Sequence, residues 1–301
     1  MRRAITVLFL LIAVSPLLSG QNKEAVRIIS YNIWNGFDWG KDTARAQAFQ
    51  EWMRSVDCDV AALQELCAYN DKRLQQEAAL WGHPHSVLLK ETGYSVGLSS
   101  RYPIELREKI LTGLHHGALH CRTRGMDFLL IHLHPGSVER RREEMGILLK
   151  KIGEILQHTD KLLVLGDFNA HSPYDTHLYD PEGPLLSRLR ENNKDKPGLT
   201  GNLANNDLDY SVISGFLSIP LCDVVRPYTH TLDERGSFPA RALGPINEEK
   251  AEQLEARMER IDYILVSESL LPACVDAKVL NGKENWDLSD HYPVLADFML
   301  D

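Results

Sequence analysis

The sequence predicts an α/β (α+β) protein in which mixed β-sheets are covered by helices, and three observations carry that expectation. Short β-rich runs alternate with amphipathic helical stretches along most of the 301 residues. Between residues 85 and 133, strand-like runs follow one another with little room for helices, so antiparallel neighbours must join parallel strand–helix units in the sheets. No linker-like stretch divides the chain beyond residue 20, which predicts one domain over residues 21–301.

The elements follow in order. Residues 26–32 read as a strand, and residues 43–56 place Phe49, Trp52, Met53 and Val56 on one helical face. A second strand is expected at 60–63 and a helix at 71–81. Strands then fall at 85–89, 95–99, 105–112, 117–124 and 126–133. The clearest helix is 137–158, where Met145, Leu148, Leu149, Ile152, Ile155 and Leu156 repeat at helical period and Ser137 can cap the N-terminus. Residues 161–165 form a buried-type strand, whereas 174–206 is loop-rich, with Pro, Gly and Asn punctuation. A short helix at 207–217, a polar loop at 233–245 and a helix at 247–258 capped by Asn247 precede the closing strands 261–266, 273–280 and 292–299. There is no internal repeat and no low-complexity segment.

The first twenty residues differ from the rest. Arg2 and Arg3 precede the apolar run 4–14, Pro16 breaks it, and Ser19 and Gly20 follow. A positive start, a short apolar core and a small-residue exit describe a signal peptide over residues 1–20, hence a secreted or periplasmic protein. The run falls short of the roughly 20 apolar residues a membrane helix needs, and no other run approaches that length, so no stable membrane span is expected. Removal of Arg2 and Arg3 takes the formal net charge from −9 to −11, a poor electrostatic footprint for tight, non-specific nucleic-acid binding. The cysteines Cys58, Cys67, Cys121, Cys222 and Cys274 have no disulfide or zinc spacing; Cys58 and Cys67 flank a strand and lie about 30 Å apart if it is extended.

What terminates the apolar strands is the informative pattern. Asn32 ends the first, Gln64 and Glu65 follow the second, and His132 ends the run before 133. Asp167 and Asn169 follow Gly166 after 161–165, Asp262 lies in 261–266, and Asp290 and His291 open the last strand. A single residue of this kind is usually a cap or turn former. Six strands so terminated imply one crevice into which rigid elements aim side chains. Carboxylates such as Glu65 and Asp290 are hard ligands suited to Mg²⁺ (or Mn²⁺) completed by substrate phosphate oxygens. His132 and His291 can move protons near neutral pH. Asn32 and Asn169 can donate to phosphoryl oxygens without adding charge. Metal, acid–base groups and neutral donors together suit attack of water on phosphorus.

The ordered set Tyr31-Asn32-Ile33-Trp34, Gln64-Glu65, Ile131-His132-Leu133, Gly166-Asp167-Phe168-Asn169, Arg260-Ile261-Asp262-Tyr263-Ile264 and Ser289-Asp290-His291-Tyr292-Pro293 resembles the motifs of the endonuclease/exonuclease/phosphatase superfamily, with the deoxyribonuclease-I-like fold. The resemblance spans about residues 26–299, and residues 93–104 are similar to that family's middle strands. It implies a four-layer α/β sandwich, two mixed sheets face to face with helices outside, in an exported bacterial-type member. It implies a divalent-metal-dependent phosphoesterase with Glu65 as principal metal ligand and Asp290 and Asn32 near the metal or the phosphate. His291 paired with Asp262 would polarise the attacking water, Asp167 and Asn169 would position nucleophile and transition state, and His132 would serve the leaving side. Glu91 would support His132, as a glutamate does in the deoxyribonuclease branch.

Other residues carry a second possibility beside a plain one. Trp34, Phe37 and Trp39, in the loop after Asn32, either stack on a base, sugar or lipid or pack beneath the loop. Arg140 and its neighbours Arg141 and Arg142 either hold a phosphate or form a solvated helix face. His171 and His177 follow the Asp167 loop and can reach substrate. His115, His116 and His120 are expected on the strand surface, and His134 in a loop. The substrate is a phosphate ester: nucleic acid, phospholipid head group or sugar phosphate. A sphingomyelinase-like phospholipase C, an inositol-phosphate phosphatase and an inactive binding protein of the same fold stand as alternatives. No protein partner can be inferred, and a monomer is expected.

Overall fold

The computed structural model describes residues 24–195 and 201–300, so the expected signal peptide at 1–20 lies outside the described residues. In chain order the strands are β1 (Glu24–Asn32), β2 (Val60–Gln64), β3 (His85–Leu88), β4 (Gly97–Ser100), β5 (Glu105–Ile110), β6 (Ala118–Thr123), β7 (Met126–His132), β8 (Leu162–Asp167), β9 (Leu203–Ala204), β10 (Asp207–Leu208), β11 (Leu221–Asp223), β12 (Asp262–Ser267), β13 (Cys274–Val279) and β14 (Val294–Leu300). One sheet runs β13-β14-β1-β2-β4-β3 and the other β11-β12-β8-β7-β6-β5; β9 and β10 make a small separate pair.

The two large sheets share one pairing pattern. In each, the third and fourth strands are parallel, β1 with β2 and β8 with β7, and all other neighbours are antiparallel. Under this correspondence β1 matches β8, β2 matches β7 and β14 matches β12.

Alternation along the strands builds the layers. Val26 and Ile28 of β1, Val60 and Ala62 of β2 and Leu98 of β4 face Leu119, Phe128, Leu130, Leu163, Leu165 and Ile264 of the other sheet in one apolar cluster. The opposite side of β1 and β2 (Ile29, Tyr31, Ala61, Leu63) packs on Phe49, Trp52 and Met53 of helix Thr43–Val56 and Leu74 and Ala78 of helix Asp71–Leu80. The opposite side of the second sheet (Leu129, Ile131, Val164, Leu265) packs on Leu148 and Ile152 of helix Val138–Ile155 and Ile213 and Phe216 of helix Ser211–Ser218. Strands buried on both faces read as continuous apolar runs, which is why the central strands are legible in the sequence. The layers are those of the four-layer sandwich.

Expectation and structure differ in the second half. The stretch 174–206 contains helix Pro184–Asp195, whose Leu185 and Leu186 pack with Tyr179, Leu203 and Leu208; its Pro start sits where a helix tolerates it. The expected helix 207–217 is instead strand β10 followed by Ser211–Ser218, because Asp209 accepts from Ser211 N and Oγ and starts the helix there. The helix 247–258 shrinks to Ala251–Glu255, with Lys250 rather than Asn247 at its N-cap. Strand β11 is too short for a sequence pattern to reveal. All five cysteines are free, in line with the absent disulfide spacing.

Gly166 shows how tightly the site-bearing strands are joined. It lies opposite Ile131 in the β8–β7 pairing, has φ +140°, and a Cβ there would sit 1.9 Å from the Ile131 carbonyl oxygen. Only glycine lets β8 close on β7 and turn Asp167 into the crevice. Gly166→Ala is expected to destabilise the fold by roughly 1–3 kcal/mol or more. Urea denaturation checks this, and a variant of wild-type stability would show that the two strands can separate there without loss.

Candidate active site

The polar strand ends meet at one end of the two packed sheets. Asn32 is fully buried, and its Nδ2 donates to Glu65 Oε1 (3.2 Å) and Asp167 Oδ2 (3.1 Å), bridging one carboxylate from each sheet. Its Oδ1 accepts from Trp34 N (3.1 Å). Glu65 follows β2 with φ +59°, a left-handed conformation that costs an L-residue roughly 1–2 kcal/mol and swings its side chain off the strand. Its Oε2 accepts from Asn35 N at 2.7 Å. Ser289 Oγ donates to the Asn32 carbonyl at 2.6 Å, which fixes the loop carrying Asp290 and His291 against the end of β1.

The other sheet supplies Asp167, which is buried. Its Oδ1 accepts from Asn169 N at 2.8 Å, and Asn169, at φ +48°, donates its Nδ2 to the Leu133 carbonyl at 3.1 Å. Asp262 opens β12, registered directly against Asp167, and its Oδ2 lies 2.8 Å from His291 Nδ1. The same Oδ2 accepts from Ser237 Oγ at 2.7 Å. His291 Nε2 stands 3.8 Å from Asp167 Oδ2, and His132 Nε2 stands 3.5 Å from that same oxygen. Asn32, Glu65, His132, Asp167, Asn169, Asp262, Asp290 and His291 therefore share one crevice.

Crowding sets the electrostatics. Burial, then the negative charge of Asp262, pushes the Asp167 carboxyl up to about 8. Burial and then Glu65 push Asp290 up to about 7. Burial opposes charge on His291, but the carboxylates of Asp262 and Asp167 outweigh it and raise the imidazole well above its ordinary value. His132 moves the other way, down to about 3, through burial and then repulsion from His291. A divalent cation fits this donor set. Glu65 and Asp290 are oxygen ligands, and the elevated Asp290 carboxyl marks a place where negative charge lacks a counter-charge. Ligand atoms of Asp167, Asp262 and His291 also lie within 4.8 Å of one another. There the 2.8 Å His291–Asp262 contact and the Ser237 hydrogen bond already occupy Asp262 Oδ2, so a His–Asp pair is the better description.

Several expected site residues fall elsewhere. Glu91 is exposed, on the loop beyond the β3 end, and its side chain points to solvent instead of supporting His132. Phe37 is fully buried against Phe49, a core residue rather than a substrate contact. Trp34 is half-buried under Arg45, while Trp39 stays 46 % exposed, so of the three aromatics Trp39 keeps a face for substrate. His171 is buried and bonds Glu259 Oε2 at 2.8 Å instead of reaching outward. Arg140 is exposed and pairs with Glu143, a solvated helix position. The next residue, Arg141, is fully buried and holds the carbonyls of His134 and Gly201. His116 and His120 are buried, not surface residues: His120 bonds Asp127 at 2.8 Å, and His116 stacks on His132.

Four neighbours are not candidate site residues in the sequence. Tyr94 is half-buried beside the acidic cluster, and burial, then Glu65, raises its phenol. Ser237 holds Asp262, the Phe238 ring lies 4.8 Å from His291, and His116 backs His132. Ser237 and Phe238 sit in what reads as a polar loop, and nothing local signals that the loop returns to β12. Farther back, Arg260 bonds Asp175 and Asp223 at 2.7 Å each, a buried set that anchors the chain two residues before Asp262.

Two facing mixed sheets thus hold an acidic, histidine-containing crevice at one end of the sandwich. The profile of the Endonuclease/Exonuclease/phosphatase family matches residues 29–291, and the chain belongs to that family. No curated protein sequence gives a significant match. Among solved structures, an AP endonuclease from Archaeoglobus fulgidus superposes with a TM-score of 0.62 at 18 % identity, covering 91 % of this chain and 99 % of that one. A single-substitution variant of the 3′ phosphatase NExo from Neisseria, bound to product DNA hairpin, gives 0.64 at 20 % identity over 91 % and 99 %. The 3′-5′ exonuclease NExo from Neisseria meningitidis gives 0.65 at 19 % identity over 91 % and 100 %.

The short Asp262–His291 hydrogen bond couples the two side chains. His291→Ala and Asp262→Asn are each expected to lower phosphoesterase activity about 10²–10⁴-fold, and the double variant little further. Steady-state kinetics on the three proteins decide this; losses that simply multiply would mean the residues act separately.

Proposed function

We propose that the protein is an exported, divalent-metal-dependent phosphoesterase that hydrolyses phosphodiester (or phosphomonoester) bonds by activated water. The juxtaposition of Asn32 and Glu65 from one sheet with Asp167, Asp262 and His291 around a single crevice carries the reading. Glu65, Asp290 and Asn32 would hold Mg²⁺ or Mn²⁺, which when bound neutralises charge on the phosphoryl oxygens. His291, kept protonated by Asp262 and Asp167, donates from Nε2 to a phosphoryl oxygen. Asp167 is placed to accept the proton of the attacking water only once ionised, a form that burial disfavours below about 8. Asn169, with Nδ2 spent on Leu133, offers Oδ1 to orient that water. His132 is neutral and stands on the leaving side, where it can give one N–H to the departing oxygen.

Beside His291 and Asn169 lies an open cavity of about 470 Å³ lined also by Asn192, Asn202, Phe238, Glu259 and Arg188. Arg188 is paired with Glu249 and Glu259 with His171, so the lining offers amides, the Phe238 ring and the apolar Leu189 and Ile261. That favours a small, polar, weakly charged group next to the phosphate, such as a sugar or head group, over a long polyanion. The nucleic-acid activities of the structural neighbours keep a nucleotide or DNA end in the same test.

Wild type and Glu65→Gln should be assayed with Mg²⁺ or Mn²⁺ on duplex DNA, RNA, sphingomyelin, phosphoinositides and a generic phosphodiester, with EDTA as control. EDTA should abolish activity, and Glu65→Gln should weaken Mg²⁺ binding in calorimetry. Mg²⁺ affinity should also rise from pH 6 to pH 8. Asp290, with its carboxyl at about 7 instead of the usual 3.8, holds a proton at pH 6 that the cation must displace. By the same sign the metal-free fold loses stability as pH climbs from the unfolded value through 7. Activity in EDTA, or unchanged Mg²⁺ affinity in Glu65→Gln, would refute the metal assignment.

Export is supported by Arg2, Arg3, the apolar run 4–14 and the small residues Ser19 and Gly20 that follow it. N-terminal sequencing of protein from its native host should give a start near residues 20–23. Met1 on a soluble cytoplasmic product would overturn it.

A further inference from the structure

His132 is 4 % exposed, yet hydrogen bonds do not orient its ring. Nδ1 is buried with no hydrogen-bond partner among the described residues, and Nε2 meets Asp167 only at 3.5 Å. Rotation about the last side-chain bond of histidine is intrinsically broad, so an unbonded imidazole needs something else to hold its plane. His116 is there. Its ring lies 4.2 Å from that of His132, centroid to centroid, with the planes 22° apart, and it too is buried at 5 % exposure.

We propose that His116 is a positioning residue, fixing the plane of the His132 imidazole by stacking on it, in the place where a hydrogen-bonded carboxylate was expected from Glu91. The proposal rests on the phosphoesterase reading, in which His132 serves the leaving side.

The fold supplies the stack with a rigid back. Gly117 has φ +87°, and a Cβ there would sit 2.8 Å from Leu89 and 3.1 Å from the Ile110 carbonyl, so the chain enters β6 by a turn open to glycine. Ala118 is registered against Ile131, which sets His116 beside the end of β7 that carries His132. Behind His116, the Tyr94 ring lies at 5.3 Å and the His115 ring at 4.3 Å. The Glu144 carboxylate ties the turn to the β7 exit, accepting from His115 N at 2.6 Å and from His134 N at 2.8 Å. Burial and then the neighbouring His132 hold His116 far below its usual value, at about 2, so two neutral rings face each other without charge repulsion. A stacked ring limits tilt as a hydrogen bond would, but leaves both nitrogens of His132 uncommitted. Nε2, which faces Asp167 at 3.5 Å, is then free to meet the departing oxygen, while Nδ1 stays buried.

The test compares His116→Ala, His116→Leu and His116→Phe. Phenylalanine keeps a flat ring and loses the nitrogens; leucine fills space without a plane. Thermal melting establishes that each variant is folded. The readouts are kcat and KM on the best phosphodiester of the substrate panel, and the imidazole ¹⁵N and ¹H resonances of His132. The Ala and Leu variants should lose about 10- to 100-fold in kcat, the scale of a misplaced catalytic group, with KM little changed. Phe should stay near wild type, and the His132 resonances should broaden or shift in Ala and Leu only. If His116→Phe falls as far as Ala, or if Ala and Leu leave kcat and the His132 resonances as they were, stacking does not position His132. Should Ala fail to fold, the Leu and Phe pair still decides. A wild-type protein inactive on the whole panel would sink the phosphoesterase reading alone, because the resonances report on the stack without turnover.

Discussion

Asp167 takes a carboxylate to a place water barely reaches, and the surrounding residues are arranged around that charge. One oxygen accepts the backbone N–H of Asn169; the other faces the Asn32 amide, His291 and His132. Asp262 stands opposite it in the β8–β12 pairing, so two acidic groups are forced together by strand register. The conflict is resolved in two ways at once: His291 becomes strongly basic, and Asp167 retains its proton more readily than a carboxyl in water would. Removing any neighbour therefore alters the ionisation of the rest, and the site behaves as one coupled set rather than as a row of independent residues.

The matching pairing patterns of the two sheets explain why six scattered motifs converge. Asn32 ends β1 and Asp167 ends the corresponding strand β8. Glu65 follows β2, and His132 ends its counterpart β7. His291 precedes β14, and Asp262 opens its counterpart β12. Each sheet contributes the same three positions, and the packing of their inner faces brings both sets to one end. Neither sheet holds a complete set: Glu65 and Asp290 belong to the first, Asp167 and Asp262 to the second.

Much of this was legible because rigid elements write simple patterns. Strands buried on both faces are apolar throughout, so a polar residue at the end of one, such as Asn32 or Asp167, stands out. Helix Thr43–Val56 was legible to its termini, and all eight motif residues meet in the crevice. What escaped depends on chain returns that no local pattern encodes. Ser237 and Phe238 lie in a polar loop until the chain folds back on Asp262 and His291. Helix Pro184–Asp195 hides among Pro and Asn because tertiary burial of Leu185 and Leu186, more than local propensity, stabilises it. His116 reads as a strand-surface residue, since its partner His132 is close in space but separated along the chain. Glu91 failed as a support for the opposite reason: the resemblance supplied a role, but the loop carries the side chain into solvent.

The turn Trp34–Gly40 has a consequence of its own. Trp34, Asn35, Phe37, Asp38 and Trp39 all have φ between 51° and 61°, a left-handed coil in a chain of L-residues. Such a segment is poor in isolation, since each L-residue pays a steric penalty there. It is pinned by Phe37 in the core and by the hydrogen bond from Asn35 N to Glu65. Gly36 fits only because its missing Cβ leaves clearance of the Cys67 carbonyl. The loop at the mouth of the crevice is thus wound against its own preference and latched to a carboxylate proposed to bind the cation. Charge at Glu65 and the hold on the left-handed backbone beside it therefore meet in one hydrogen bond, from Asn35 N to Glu65 Oε2.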